Sequence, residues 1–133
     1  MQADVKRYMR MAITLAKKAK GRTFPNPLVG AVIVKNGRIV GRGFHKKAGG
    51  PHAEIYALKE AGARAKGASL YCTFEPCSHY GRTGPCVDEI ITAGIKKVYC
   101  GIIDPAPITR GKGVRALKKA GIAVSVGFFE DDI

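Results

Sequence analysis

Pro51-His52-Ala53-Glu54-Ile55-Tyr56-Ala57, then Ser69-Leu70-Tyr71-Cys72-Thr73-Phe74-Glu75-Pro76-Cys77, then Cys86-Val87, is the stretch that decides the fold. His52 follows a Gly-Gly-Pro loop and opens a helix that runs to about Ala61, where Gly62 caps it. Ser69 to Phe74 is an apolar strand that delivers Glu75 and Cys77 at its C-terminal end, and Cys86 begins the next helix, to Ala93. A helix, a strand and a helix in succession are the unit of an α/β sheet. One imidazole and two thiolates gathered at its end are ligands that zinc favours, and three protein ligands leave the fourth tetrahedral position open.

The remaining elements extend this unit on both sides. Val5, Tyr8, Met9, Ala12, Leu15, Ala16 and Ala19 recur at helical period between about Ala3 and Lys20, and Gly21 ends that helix. Val29 to Lys35 reads as a strand, Asn36-Gly37 as a tight hairpin turn, and Arg38 to Gly43 as its antiparallel return. Lys97 to Ile102 and Ala123 to Phe128 are further strands, with a helix near Val114 to Ala120 between them. The sum is a three-layer α/β/α sandwich on a five-stranded mixed sheet, in which crossover helices make the later strands parallel. The first turn of the helix that His52 opens holds both His52 and Glu54, where the helix dipole favours the carboxylate.

The order His-x-Glu, Pro-Cys, Cys resembles zinc-dependent deaminases, in which the glutamate is general acid/base and not a ligand. That resemblance assigns His52, Cys77 and Cys86 to one Zn2+ per chain and proton transfer to Glu54. Cytidine and nucleic-acid deaminases usually place two residues between the cysteines, whereas eight stand between Cys77 and Cys86. With Thr23-Phe24-Pro25-Asn26-Pro27-Leu28-Val29-Gly30, Gly43-Phe44-His45, Ala48-Gly49-Gly50-Pro51-His52-Ala53-Glu54, Glu75 to Cys86, Asp104-Pro105 and Gly111-Lys112-Gly113, the chain resembles the deaminase domains of the bifunctional riboflavin-biosynthesis proteins RibD/RibG. The resemblance covers nearly the whole chain. It implies a cytidine-deaminase-like fold and hydrolytic removal of an exocyclic amine from the diaminohydroxyphosphoribosylaminopyrimidine intermediate. It also implies a homo-oligomer.

On the same resemblance, Asn26, His45, His79, Arg82 and Asp104 are the substrate contacts, with Arg82 a bidentate donor to the ribose phosphate. From residue type alone, Asn26 serves equally as a turn residue between two prolines, and Asp104 as a turn-initiating acid before Pro105. The chain departs from the family at Ala106, where an asparagine is usual, and at Gly84, where a proline is usual. An amide-mediated contact at 106 is therefore missing. The family continues into a reductase domain, while these residues 1–133 read as a single deaminase domain.

Composition bounds the alternatives. At 133 residues, 46% apolar and 25% charged, the chain has the make-up of one globular domain. No apolar run is long enough to span a membrane, and no signal sequence opens the chain, so the expected location is the cytoplasm. Cys72 and Cys100 sit in apolar runs and read as reduced core residues. The 23 Lys and Arg against 10 Asp and Glu give a charge of +13, which draws phosphorylated ligands or nucleic acid. Because the basic residues are dispersed, among them Lys17, Lys18 and Lys20, they read as solvated helix faces, and nucleic acid is the less favoured partner. Two rival functions share part of the pattern. A tRNA adenosine deaminase would have His-Ala-Glu, Pro-Cys and a basic surface. A non-catalytic zinc module would need a fourth protein ligand, for which His79 is the obvious candidate.

Overall fold

A computed structural model of the chain describes residues 2–21, 28–47, 50–76, 86–102 and 111–127. In chain order these form α1 (Gln2–Lys17), β1 (Gly30–Lys35), β2 (Arg38–Phe44), α2 (Ala53–Ala61), β3 (Ser69–Phe74), α3 (Cys86–Ala93), β4 (Lys97–Ile102), α4 (Lys112–Lys119) and β5 (Ala123–Val126). The five strands lie in the order β2-β1-β3-β4-β5. β1 is antiparallel to both β2 and β3, while β3, β4 and β5 run parallel. The cause is the connections. A two-residue turn can only join antiparallel strands, whereas α3 and α4 carry the chain back for parallel pairing.

The turn has the expected chemistry: Asn36 and Gly37 both take positive φ, 52° and 75°. That pair matches the twist of the flanking strands. Ile33 pairs with Gly41 and Val34 with Ile39, so Val40 is an extra residue bulged from β2.

Strand alternation sorts the core into two layers. Ala31, Ile33, Leu70, Cys72, Val98 and Cys100 face α2, α3 and α4, meeting Ala53, Ala57, Ala61, Val87, Ile90, Val114 and Leu117. Val32, Val34 and Tyr71 face the other way, onto Tyr8, Met9, Ala12 and Ile13 of α1. On that second face Tyr71 stacks on Tyr99 at 4.6 Å with the rings 4° from parallel, and Tyr8 meets Tyr71 at 5.2 Å. The three-layer architecture is therefore the expected one.

The differences are at ends. α1 stops at Lys17, and Lys18, Ala19 and Lys20 close onto the carbonyls three residues back before Gly21 turns at φ 87°. A 3₁₀ turn, Gly62–Ala65, follows α2. α4 begins two residues earlier than its apolar pattern, and β5 ends at Val126. Phe128 lies outside the described residues. No helix among the described residues is long and apolar enough to cross a membrane.

Candidate metal and catalytic centre

The centre is built where α2 and α3 begin. Gly41 and Gly43 leave β2 without side chains toward α2, and a Cβ on Gly43 would land on the Ala53 carbonyl oxygen and 2.6 Å from Tyr56 Cβ. This contact fixes the first turn of α2 against the sheet edge. His52 is its N-cap, with extended backbone (φ −78°, ψ 163°), and its carbonyl accepts from the Ile55 and Tyr56 amides at 3.1 and 3.4 Å. The imidazole does not cap the helix. It reaches across to α3 instead, placing Nδ1 3.1 Å from the Sγ of Cys86, the buried first residue of that helix. Glu54, two residues on, is 97% buried (3% exposed) in the first turn of α2, where the helix dipole favours its negative form.

His45 completes the described part of the site. It leaves β2, and its amide donates to the Val29 carbonyl at 3.0 Å. Its Nδ1 lies 3.0 Å from the Pro51 carbonyl oxygen, which can only accept, so Nδ1 carries the proton. The buried ring meets His52 edge-on, 5.3 Å between centroids at 86°. Thus the loop that delivers His52 also fixes the tautomer of His45.

The donor set suits zinc. A nitrogen and a thiolate sharing one tetrahedral zinc at about 2.0 and 2.3 Å stand about 3.5 Å apart. His52 Nδ1 and Cys86 Sγ, at 3.1 Å, need only a small side-chain movement to reach it. Among the described residues no three His, Cys, Asp or Glu side chains gather as a metal-holding group. The third expected ligand, Cys77, lies outside them, as do Asn26, His79, Arg82 and Asp104. The structure therefore brings together His45, His52 and Cys86 by contact and sets Glu54 in the same turn as His52.

Beneath this group, Cys72 and Cys100 face each other across β3 and β4 with sulfurs 3.8 Å apart, both reduced and buried. The hydrogen bond to Cys100, burial, and the nearby Cys100, Glu54 and Cys86 push the Cys72 thiol well above its ordinary range. It stays a neutral core thiol, as its apolar surroundings in the sequence lead one to expect.

Two residues of the β3 end escaped the sequence reading. Thr73 accepts the Gly30 amide at 3.1 Å through its hydroxyl, tying the start of β1 to β3. Glu75, buried at the strand end, accepts the Gly111 and Val114 amides at 3.0 Å each through its two carboxylate oxygens. A signal for Glu75 does exist in the sequence. Gly111-Lys112-Gly113 opens a helix without a capping side chain of its own, so its first amides require an acceptor from elsewhere.

Comparison with known proteins agrees with this geometry. Residues 2–102 match the family model described as the cytidine and deoxycytidylate deaminase zinc-binding region. The riboflavin biosynthesis protein RibD of Aquifex aeolicus (strain VF5) is 59% identical over 127 residues, 96% of this chain and 36% of that protein. The chain thus spans about a third of the length of that relative. The diaminohydroxyphosphoribosylamino-pyrimidine deaminase of Buchnera aphidicola subsp. Schizaphis graminum is 52% identical over 125 residues, 94% of this chain and 85% of that protein. A solved structure of Acinetobacter baumannii RibD superposes with a TM-score of 0.98 at 50% identity, covering 99% of this chain and 37% of that one.

Proposed function

This chain belongs to the cytidine and deoxycytidylate deaminase family and, within it, to the riboflavin-pathway pyrimidine deaminases, and from that premise we propose that it removes ammonia hydrolytically from diaminohydroxyphosphoribosylaminopyrimidine. The observation that carries the reading is the convergence of His52 Nδ1 and Cys86 Sγ beside buried Glu54, at the starts of two helices. His52, Cys77 and Cys86 would hold one zinc, whose Lewis acidity brings the proton loss of water towards neutral pH.

The rest is done by side chains of this chain. Glu54 accepts the proton of the attacking water and passes it to a ring nitrogen, which makes the amine-bearing carbon electrophilic. A second transfer through Glu54 lets the amine leave as ammonia, and the carbonyl takes its place. Burial suits this role, because bulk water does not compete for the proton. His45, protonated on Nδ1, offers Nε2 as an acceptor toward the pyrimidine. Asn26, His79 and Asp104 hold the heterocycle and ribose, and Arg82 holds the phosphate through two parallel hydrogen bonds. Residues 1–133 act as one deaminase domain, in the cytoplasm and as a homo-oligomer.

The test is ammonia release from the phosphorylated pyrimidine, run beside unmodified tRNA and the dephosphorylated pyrimidine. Arg82→Ala should raise KM for the phosphorylated compound about 10- to 100-fold, the scale of a charge-assisted hydrogen bond, with little change for the dephosphorylated one. Faster turnover of tRNA than of the pyrimidine would overturn the assignment.

A further inference from the structure

The helix layer formed by α2, α3 and α4 divides its charge by helix. α4 has no acid and sets Lys112, Arg115 and Lys119 along one exposed stripe, three and four residues apart, with exposed Lys118 beside it. α3, packed between α2 and α4, presents Asp88 and Glu89 to solvent and carries no cation. On a chain of net charge +13 that is a rare local sign. The other exposed carboxylates among the described residues are Asp4, on α1 across the sheet, and Glu60, which accepts the Arg42 amide at 2.9 Å. Among the described residues neither Asp88 nor Glu89 is paired with a cation of its own chain. The same helix leaves Ile91 38% exposed, with Val126 one of two large apolar side chains so placed among the described residues.

We infer that this two-signed face is where two copies of the chain meet, α3 of each lying against α4 of the other. The inference rests on the homo-oligomer of the proposed reading and deepens it by naming the contact surface. Geometry selects the pairing. α3 and α4 each carry the chain back between parallel strands, β3 to β4 and β4 to β5, so the two helices run side by side in the same direction. A two-fold axis along their seam exchanges the helices and puts acid on base twice. An axis across them would set α3 on α3 and α4 on α4, like charge on like charge, which repels. A polyanion would meet the α4 stripe but also the α3 carboxylates, and it would leave Ile91 in water. A second copy satisfies both signs and buries Ile91 with the rest of α3. Two eight-residue helices make a small contact, so the dimer is a weak one that forms in the micromolar range.

Sedimentation of the full chain at rising concentration should show a monomer–dimer equilibrium that added salt weakens. Asp88→Lys with Glu89→Lys makes both helices basic, and Lys112→Glu with Arg115→Glu and Lys119→Glu makes both acidic. Each variant alone should dimerise at least about 100-fold more weakly than the parent, because like charges then face each other at both halves of the contact. Mixed in equal amounts, the two should form a heterodimer about as stable as the parent dimer, since each brings the charge that the other now needs. Damage to the fold does not repair itself on mixing, which separates the two causes. If a reversed variant does not fold, Asp88→Asn with Glu89→Gln removes the charge without reversing it and should weaken the dimer about tenfold. A parent dimer indifferent to both reversals would place the contact elsewhere and overturn the inference, leaving the oligomer standing. A parent that stays monomeric would overturn it together with the oligomer. An RNA duplex bound by that monomer through the α4 stripe, and more tightly after Asp88→Lys with Glu89→Lys, would then give the face to a polyanion. Ammonia release from the same samples judges the deaminase reading separately.

Discussion

α1 and α2, on opposite faces of the sheet, are packed by different side chains. Beneath α1 large side chains, Met9, Ile13, Val32, Val34 and a stack of tyrosines, fill the space around one close approach, where Gly30 meets the Ala12 backbone. Beneath α2 the helix side is alanine, with Ala53, Ala57 and Ala61 over the bare Gly41 and Gly43, while α3 and α4 beside it bring Val87, Ile90, Val114 and Leu117. Small residues bring helix backbone onto strand backbone. That closeness fixes the start of α2, from which His52 reaches Cys86 and whose first turn holds Glu54. The face under α1 stores cohesion mainly through volume, and the face under α2 sets position through proximity.

Four variants would break or sharpen this contrast, beginning with the largest effect. Glu54→Gln, on the proximity face, should lower ammonia release about 100- to 10,000-fold, since an amide cannot carry the proton. Zinc content and melting temperature should match the parent, and activity within severalfold of it would assign the proton to another residue. Met9→Ala, on the volume face, should do the reverse. It empties a fully buried site under α1 and should cost about 2–5 kcal/mol in denaturant unfolding, with the turnover number of the folded enzyme retained. A parental unfolding midpoint would show that α1 adds little.

Gly43→Ala comes next. The added methyl meets backbone of α2 and the Cβ of Tyr56, groups that do not swing aside, so about 1–3 kcal/mol of strain is expected. Turnover should fall with it, because α2 carries both His52 and Glu54; strain without a kinetic effect would mean that the helix start does not depend on this contact. Smallest is the joint change of exposed Lys17, Lys18 and Lys20 to Gln, which should move stability by less than about 0.5 kcal/mol and leave KM alone. A rise in KM would show that this basic cluster reaches the substrate.

Much of the frame could be read from sequence because its causes are local. The Asn36-Gly37 turn needs only two residues that accept positive φ, and α1 needs only its own periodicity to select Tyr8, Met9, Ala12 and Ala16. His52 and Cys86 were legible for a different reason, since a ligand set and a resemblance name them without any geometry. Their meeting at 3.1 Å is what the structure adds. Thr73 was not legible, because its partner is a backbone amide 43 residues away, which leaves no mark in a side-chain pattern, while for Glu75 the capless start of α4 asks for an acceptor without saying which residue supplies it. The bareness of Gly41 and Gly43 was equally silent, since only the docked helix shows why a side chain cannot stand there. Asn26, Cys77, His79, Arg82 and Asp104 rest on the sequence alone, outside the described residues.

The tyrosine stack also makes this protein its own optical gauge. The chain has no tryptophan, so its near-ultraviolet signal comes mainly from five tyrosines, three of which, Tyr8, Tyr71 and Tyr99, adjoin on the α1 face. Burial, then the neighbouring Tyr99, Tyr8 and Asp4, push the Tyr71 hydroxyl from 10.0 up to about 12. An unfolded chain releases that proton near pH 10, while the folded one keeps it. The stabilisation that follows is therefore complete below pH 10 and fades as the pH climbs from 10 to about 12. After a jump to alkaline pH between those limits, the late-rising tyrosinate absorbance would time the lifting of α1 from the sheet. It would do so from the face opposite the chemistry, without a dye and without touching the metal.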